Sequence, residues 1–135
     1  MVLEFGIFPA GEVDSSPTVV KSGMTAVTFA LVATAKNAGT DTTLYTPTTG
    51  KIFHLTSINI SNSSGAATSA SIQKSAGGTT VYACNVWSVA EVQEKTQTFP
   101  CPITFIGGID IVNLRVGANN GTWTITGQGF EVATP

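Results

Sequence analysis

Charged side chains are scarce in this sequence. Lys, Arg, Asp and Glu make up 10% of its 135 residues, against roughly 25% in an average soluble domain. The formal net charge is −2, so the chain lacks the basic field that draws nucleic acid or an anionic membrane surface, and neither is expected as a partner. Solubility must then come from uncharged residues such as Ser, Thr, Asn and Gly, and a composition rich in these residues favours an all-β fold. It also favours a subunit, since a surface covered by a neighbour need not be charged.

Cysteine and histidine are equally rare. Cys84, Cys101 and His54 have no local spacing that suggests a zinc site. The apolar start, MVLEFGIFPAGEV, lacks a positively charged leading region and is interrupted by Glu4 and Pro9, so it does not read as an export signal. We therefore expect a protein made in the cytoplasm with two free thiols. No apolar run approaches the roughly 20 residues of a membrane-spanning helix.

Catalytic motifs are also missing. The sequence contains neither a Gly-x-Ser-x-Gly elbow nor a phosphate-binding loop. His54 stands in the middle of a strand-like run, where a structural role is commoner than a catalytic one. The few acids have no spacing that proposes a glycosidase pair. We expect no enzymatic activity, no catalytic residues, no cofactor and no metal.

Alternation of apolar and polar residues is the dominant pattern, and turn residues separate the alternating runs. This pattern predicts an eight-stranded, jelly-roll-like antiparallel β-sandwich over residues 21–135. Ser88, three residues before Glu91, suggests either a short capped helical turn or a charged loop. The eight runs are TAVTFALVATA, TLYTP, KIFHLTSINIS, ATSASIQK, TTVYACNVW, FPCPITF, IDIVNLRV and TWTITGQGFEV.

Two of these runs change face along their length. In KIFHLTSINIS, Phe53 and Leu55 alternate on one face, whereas Ile58 and Ile60 fall on the other. Either the strand has a bulge or bend near residues 56–57, or its two halves bury opposite faces, one of them against a neighbouring subunit. The closing run changes in the same way, from Trp123 and Ile125 to Phe130 and Val132.

The FPCP segment predicts an edge. Pro100 and Pro102 are two residues apart, so their missing N–H groups lie on the same side of the chain. A neighbouring backbone cannot pair with that side in register. We therefore expect an edge strand or a loop that resists open-ended pairing.

Residues 1–20 have no sustained period and are predicted to form an extended N-terminal arm. Phe5, Ile7 and Phe8 are its apolar residues, and a Ser-Ser-Pro hinge follows at residues 15–17. The arm either packs on its own domain or docks on a neighbour.

Three pieces of the sequence resemble small β-sandwich virion structural proteins of tailed bacteriophages: YTPTTGKIFHLTSINISNSSG, GGTTVYA and GTWTITGQGFEV. In that group a P-x-G-K-x-F-x-L-T-S-I-x-I-x-N strand follows a short lead, and the chain closes with G-x-W-x-I-x-G-x-G-F/Y-E. This sequence departs from the first pattern by one additional residue between Pro47 and Gly50. The similarity covers roughly residues 44–132, and its pattern residues belong to a fold, not to an active site. They are Pro47, Gly50, Lys51, Phe53, Leu55, Thr56, Ser57, Ile58, Ile60 and Asn62, then Gly121, Trp123, Ile125, Gly127, Gly129, Phe130 and Glu131.

The resemblance implies a location on the capsid surface of a virion. It implies a decoration protein that binds the outside of the phage head as a homotrimer and stabilises it, with the phage major capsid protein as partner. Phe5, Ile7 and Phe8 are the candidate capsid or subunit contacts. The alternative is a tail-fibre, receptor-binding or carbohydrate-binding module. For that alternative the candidate aromatic platforms are Trp87, Trp123, Tyr45 and Tyr82, which core or interface packing explains better.

Overall fold

Strands account for most of the residues that the computed structural model describes, which are residues 23–63, 68–86, 93–117 and 121–135. The predicted arm, with Phe5, Ile7 and Phe8, lies outside the described residues, as do Trp87 and the stretch from Ser88 to Glu91. The strands are β1 (Met24–Lys36), β2 (Asp41–Tyr45), β3 (Lys51–Ser63), β4 (Thr68–Gln73), β5 (Thr80–Val86), β6 (Gln93–Ile106), β7 (Val112–Val116) and β8 (Gly121–Ala133).

These strands form two four-stranded antiparallel sheets. The long sheet has the order β1-β8-β3-β6, and the short sheet has the order β2-β7-β4-β5. The pairs β4–β5, β3–β6, β2–β7 and β1–β8 nest around the β4–β5 turn, as if one long hairpin had been rolled up. That is the strand order of an eight-stranded jelly roll, and the predicted fold class is confirmed.

The hydrophobic core lies between the two sheets. Trp123, Phe53 and Phe105 are its largest fully buried side chains. Phe29, Tyr45 and Phe53 pack ring against ring, with centroids 4.9 to 6.2 Å apart. Most of the large apolar residues that carry the phage resemblance in β3 and β8 therefore build the core, as expected for pattern residues of a fold: Phe53, Leu55, Ile58, Ile60, Trp123 and Ile125.

A bulge explains the face change in β3. The register against both neighbouring strands shifts between Leu55 and Ser57, which leaves Thr56 as an extra residue. Phe53, Leu55, Ile58 and Ile60 consequently all point into the core, each at most 2% exposed. The bulge interpretation is confirmed, and the alternative, in which the two halves of β3 bury their apolar residues on opposite faces, is wrong.

The closing strand behaves differently, because β8 keeps strict alternation. Its inward positions continue from Trp123 and Ile125 through Gly127 and Gly129, where the large side chains come from neighbouring strands. A Cβ atom on Gly127 would lie 2.2 Å from Cζ of Phe29, and one on Gly129 would lie 1.9 Å from the carbonyl oxygen of His54. Glycine therefore leaves the space that the Phe29 ring fills.

The outward positions of that part of β8 are Phe130 and Val132, both half-buried. The face change in the closing run is thus real, and these two side chains belong to the outer surface of the long sheet.

Both edges of the long sheet are interrupted. On β6, Ile103 pairs with Leu55 and Thr98 pairs with Ser57, so residues 99–102 (FPCP) stand opposite the single bulged residue of β3. This confirms the predicted edge strand. On β1, the register shifts between Leu31 and Thr34, where Ala33 has a φ of 40°. An interrupted edge is a poor template for further strands.

Both cysteines are free thiols in the structure. Cys84 lies half-buried in β5 and packs against the core, whereas Cys101 is exposed in the interrupted edge of β6. Burial raises the pKa of the Cys84 thiol.

Candidate binding surfaces

The outer face of the long sheet is organised into cross-strand rows. The register aligns one residue from each of the four strands in every row, and alternate residues along each strand point away from the core. In the order β1, β8, β3, β6, the rows are Met24, Val132, Ile52 and Ile106; Ala26, Phe130, His54 and Thr104; Thr28, Gln128, Ser57 and Thr98; and Ala30, Thr126, Asn59 and Thr96. We call these four rows the uncharged face, because none of them contains Asp, Glu, Lys or Arg. The next row along contains Glu94, opposite Ser61.

The first two rows form the apolar end of the uncharged face. The His54 ring stacks on the Phe130 ring, with centroids 4.7 Å apart and planes 13° from parallel. Ile106 is 41% exposed, and Ile109 in the following turn is 75% exposed. His54 thus packs against Phe130, as the structural interpretation of that residue predicts.

The other two rows form the polar half, which presents hydroxyl and amide groups. Asn59 Nδ2 donates a hydrogen bond to Thr96 Oγ1 over 2.7 Å. A shallow depression of about 560 Å³ lies here over Gly127, between Thr28, Ser57 and Thr126. Its chemistry suits neutral hydrogen-bonding groups, since hydroxyls and amides both donate and accept.

The outer face of the short sheet is different because it carries charge. Arg115 Nη1 lies 2.7 Å from Asp41 Oδ2, and Asn113 Nδ2 donates to Asp41 Oδ1 over 2.9 Å. The hydrogen bond from Asn113 is the main cause of the lowered pKa of Asp41, and the Arg115 guanidinium adds to it. Beside the pair lies an open depression of about 810 Å³ lined by small residues, including Ser71 and Ala83.

Glu131 is the buried carboxylate of the β8 motif. It is 3% exposed and accepts two hydrogen bonds on Oε2, from Tyr45 Oη at 2.5 Å and from the Thr48 backbone N–H at 2.9 Å. Burial opposes ionisation, but these hydrogen bonds outweigh it, and the pKa of Glu131 is lowered. The pKa of Tyr45 is raised to about 12 by burial and by the adjacent carboxylate. The hydrogen bond between Thr48 and Glu131 connects the β2–β3 loop to β8.

The aromatic platforms proposed for sugar binding pack inward where the structure describes them. Trp123 is fully buried, Tyr45 belongs to the ring cluster, and Tyr82 packs edge-on against Phe99 at 5.4 Å. Sequence reasoning found these residues but missed the uncharged face. Alternation in β1, β3 and β8 contains the signal for each strand, but only the strand order places the four strands side by side.

No metal-binding group was found among the described residues: nowhere in those ranges do three or more His, Cys, Asp or Glu side chains come together. In the same part of the chain there is no helix long and apolar enough to cross a membrane.

Comparison with known proteins gives likenesses in structure and none in sequence. No protein-family model matches the chain, and no curated protein matches it in sequence. Among solved structures, the chain is similar to one from the virus-like particle of the giant freshwater prawn Macrobrachium rosenbergii extra small virus. The identity is 8%, the TM-score is 0.48, and the alignment covers 100% of this chain and 97% of the other. We draw no functional conclusion from a likeness of this size.

Proposed function

We propose that this protein is a virion structural protein that decorates the outer surface of a tailed-phage head as a homo-oligomer, with a trimer as the proposed state. The observation that carries the proposal is the position of the phage-like pattern residues. They form β3 and β8, adjacent central strands of a jelly-roll sheet. A fold alone does not set a function, so the virion role comes from the resemblance, and the strand arrangement supports it.

The proposed mechanism is binding without chemistry. Several copies in one oligomer would each make modest contacts with the phage major capsid protein, and their linkage would multiply weak contacts into stable occupancy. Phe5, Ile7 and Phe8 in the arm are the proposed contacts with the capsid or with a neighbouring subunit, and they lie outside the described residues.

A tail-fibre or receptor-binding role is the second candidate. The depression over Gly127 favours it, because uncharged hydroxyl and amide groups line that depression and such groups suit a neutral polyhydroxyl ligand. The inward packing of Trp123 and Tyr45 speaks against it, because those rings offer no exposed platform for a sugar.

The test is binding of purified protein to phage heads that lack it. We expect the protein to sediment with the heads and to appear at regular positions on their surface by electron microscopy. Labelling of intact particles with an antibody should mark heads. Labelling confined to tails, together with binding to host-cell polysaccharide and not to heads, would replace decoration with the second candidate.

A further inference from the structure

We infer that the uncharged face of the long sheet is the surface through which copies of this chain contact one another. The inference rests on the proposed function in that it names the contact surface of the proposed oligomer. A second copy is therefore the partner that we assign to this face.

The chemistry of the face suits contact with an identical surface. When copies are arranged around an axis parallel to the strands, each row meets the same row of the next copy. A row with a net charge would then meet a row of the same charge, whereas a different partner could supply the opposite charge. The four rows contain no charge at all.

The groups that fill the rows also suit contact with the same row of a copy. Thr, Ser, Asn and Gln each donate and accept hydrogen bonds, so each can bond to any polar residue of that row. At the other end, the apolar row that contains Ile52 and Val132 would meet the same apolar row. The short sheet lacks this property, because its outer face carries Asp41 and Arg115.

The size of the face decides how much of it must take part. On β1 the four rows span Met24 to Ala30, and each row takes up two residues along the strand. At about 3.3 Å per residue and about 4.8 Å between strands, the four rows measure roughly 500 Å². Two such faces in contact bury about 1,000 Å² in total, the least expected of a specific interface. The apolar end alone offers roughly 250 Å², so the polar half has to be covered as well.

The edges of the same sheet argue for association through the face. Residues 99–102 interrupt β6, and the shift between Leu31 and Thr34 interrupts β1. Neither edge offers an uninterrupted row of backbone groups to a strand of another copy. The face is the remaining large surface of the long sheet.

The test places charge in the fourth row of the uncharged face. Ala30 and Thr126 are exposed register partners on β1 and β8. We expect the full-length wild-type chain to form an oligomer at micromolar concentration, measured by light scattering coupled to gel filtration. The double variant Ala30→Glu/Thr126→Glu should elute as the 13.9 kDa monomer with an unchanged β-type circular dichroism spectrum.

Two further variants keep the test decisive if the double variant is poorly folded. The matched control is Ala83→Glu, which adds charge at an exposed residue that lines the depression on the short sheet. This variant should stay oligomeric. Mixing Ala30→Glu/Thr126→Glu with Ala30→Lys/Thr126→Lys should restore the oligomer, because unlike charges then meet. A monomeric wild type, a double variant that stays oligomeric, or an equal loss in the control would each overturn the inference.

The outcomes separate this inference from the proposed function. If the wild type is an oligomer that loses its partners in the double variant but never binds heads, the surface stands and the decoration role fails. If the wild type binds heads as a monomer, the role stands and the face has a different occupant, such as the head protein.

Discussion

Cys84 and Cys101 are both free thiols but differ in how far they are buried. Cys84 faces the core from β5, and Cys101 is exposed between two prolines at the edge of the long sheet. Thiolate, not thiol, is the reactive form, so exposure favours reaction at Cys101, whereas burial and a raised pKa oppose it at Cys84.

We therefore expect the two thiols to react with a thiol reagent at different rates. In the folded protein a thiol reagent should modify Cys101 quickly and Cys84 slowly, and under denaturing, non-reducing conditions both should react. Cys101→Ser should remove the fast phase and leave the slow one. Finding no reactive thiol in the denatured protein would show instead that the cysteines form a disulfide.

The ionisation of Glu131 makes the stability of the folded protein depend on pH. Its pKa is lowered in the fold from the ordinary value of 4.5, so the ionised form is favoured in the folded state. The resulting stabilisation is present above the unfolded pKa and is lost as the pH falls through the lower, folded pKa. Asp41 has a lowered pKa as well and adds to the same loss.

We expect Glu131→Gln to cost about 1 to 3 kcal/mol at neutral pH, because hydrogen bonds to a carboxylate are replaced by weaker ones to an amide. The difference between wild type and variant should shrink as the pH falls below about 4. Urea unfolding at neutral and acid pH measures it. A difference that stays constant with pH would show that the charge of Glu131 does not contribute.

Residue-scale features of this kind were only partly predictable. Alternation correctly placed Phe53, Trp123 and Ile125 on inward positions. The burial of Glu131 was not foreseen, since its partner Tyr45 lies 86 positions away in the sequence. An isolated acid in a strand is usually exposed.

At the scale of elements, the bulge in β3 determines to which face of the sheet the side chains in the second half of the strand point. With Thr56 present, Phe53 and Leu55 share the core with Ile58 and Ile60. The sequence showed the break in alternation but could not choose between a bulge and two buried faces. That choice depends on the register against strands far away in the chain.

Deleting Thr56 should therefore abolish cooperative unfolding. Without the extra residue, either Phe53 and Leu55 or Ile58 and Ile60 would turn toward water, and each buried side chain is worth about 1.5 to 3 kcal/mol. The matched control is Thr56→Ala, which removes the hydrogen bond from Oγ1 to the Gln128 carbonyl, 3.0 Å long, and should cost about 1 kcal/mol. Thermal melts followed by circular dichroism compare them. A deletion variant that melts like the control would show that the strand adjusts its register elsewhere.

At the scale of the whole molecule, the described strands of both sheets contribute side chains to one buried cluster. The first of the described strands begins at Met24. The number of strands and the fold class could be predicted from alternation and turns. Which strands lie side by side could not, because the nested pairing joins segments from opposite ends of the sequence.

We predict that deleting residues 1–16 leaves the β-type spectrum and a cooperative melt nearly intact. The deletion should weaken binding to heads, because Phe5, Ile7 and Phe8 each contribute on the order of 1.5 to 3 kcal/mol when buried. Co-sedimentation with heads measures the loss. Unfolding of the truncated chain would place the arm in the core, and unchanged head binding would exclude it as the anchor.

The place of β8 also sets the order in which the molecule can form. β8 is the last described strand to leave the ribosome, yet it lies between β1 and β3 at the centre of the long sheet. Until β8 has been synthesised, β1 lacks the one neighbour that it has in that sheet among the described strands, and of those strands only β6 is available to β3. Pairings between such distant segments form slowly, and unpaired strand edges on an unfinished chain are open to aggregation. The surface that we assign to self-contact thus exists only once each chain has folded, so folding of the subunit must precede its assembly.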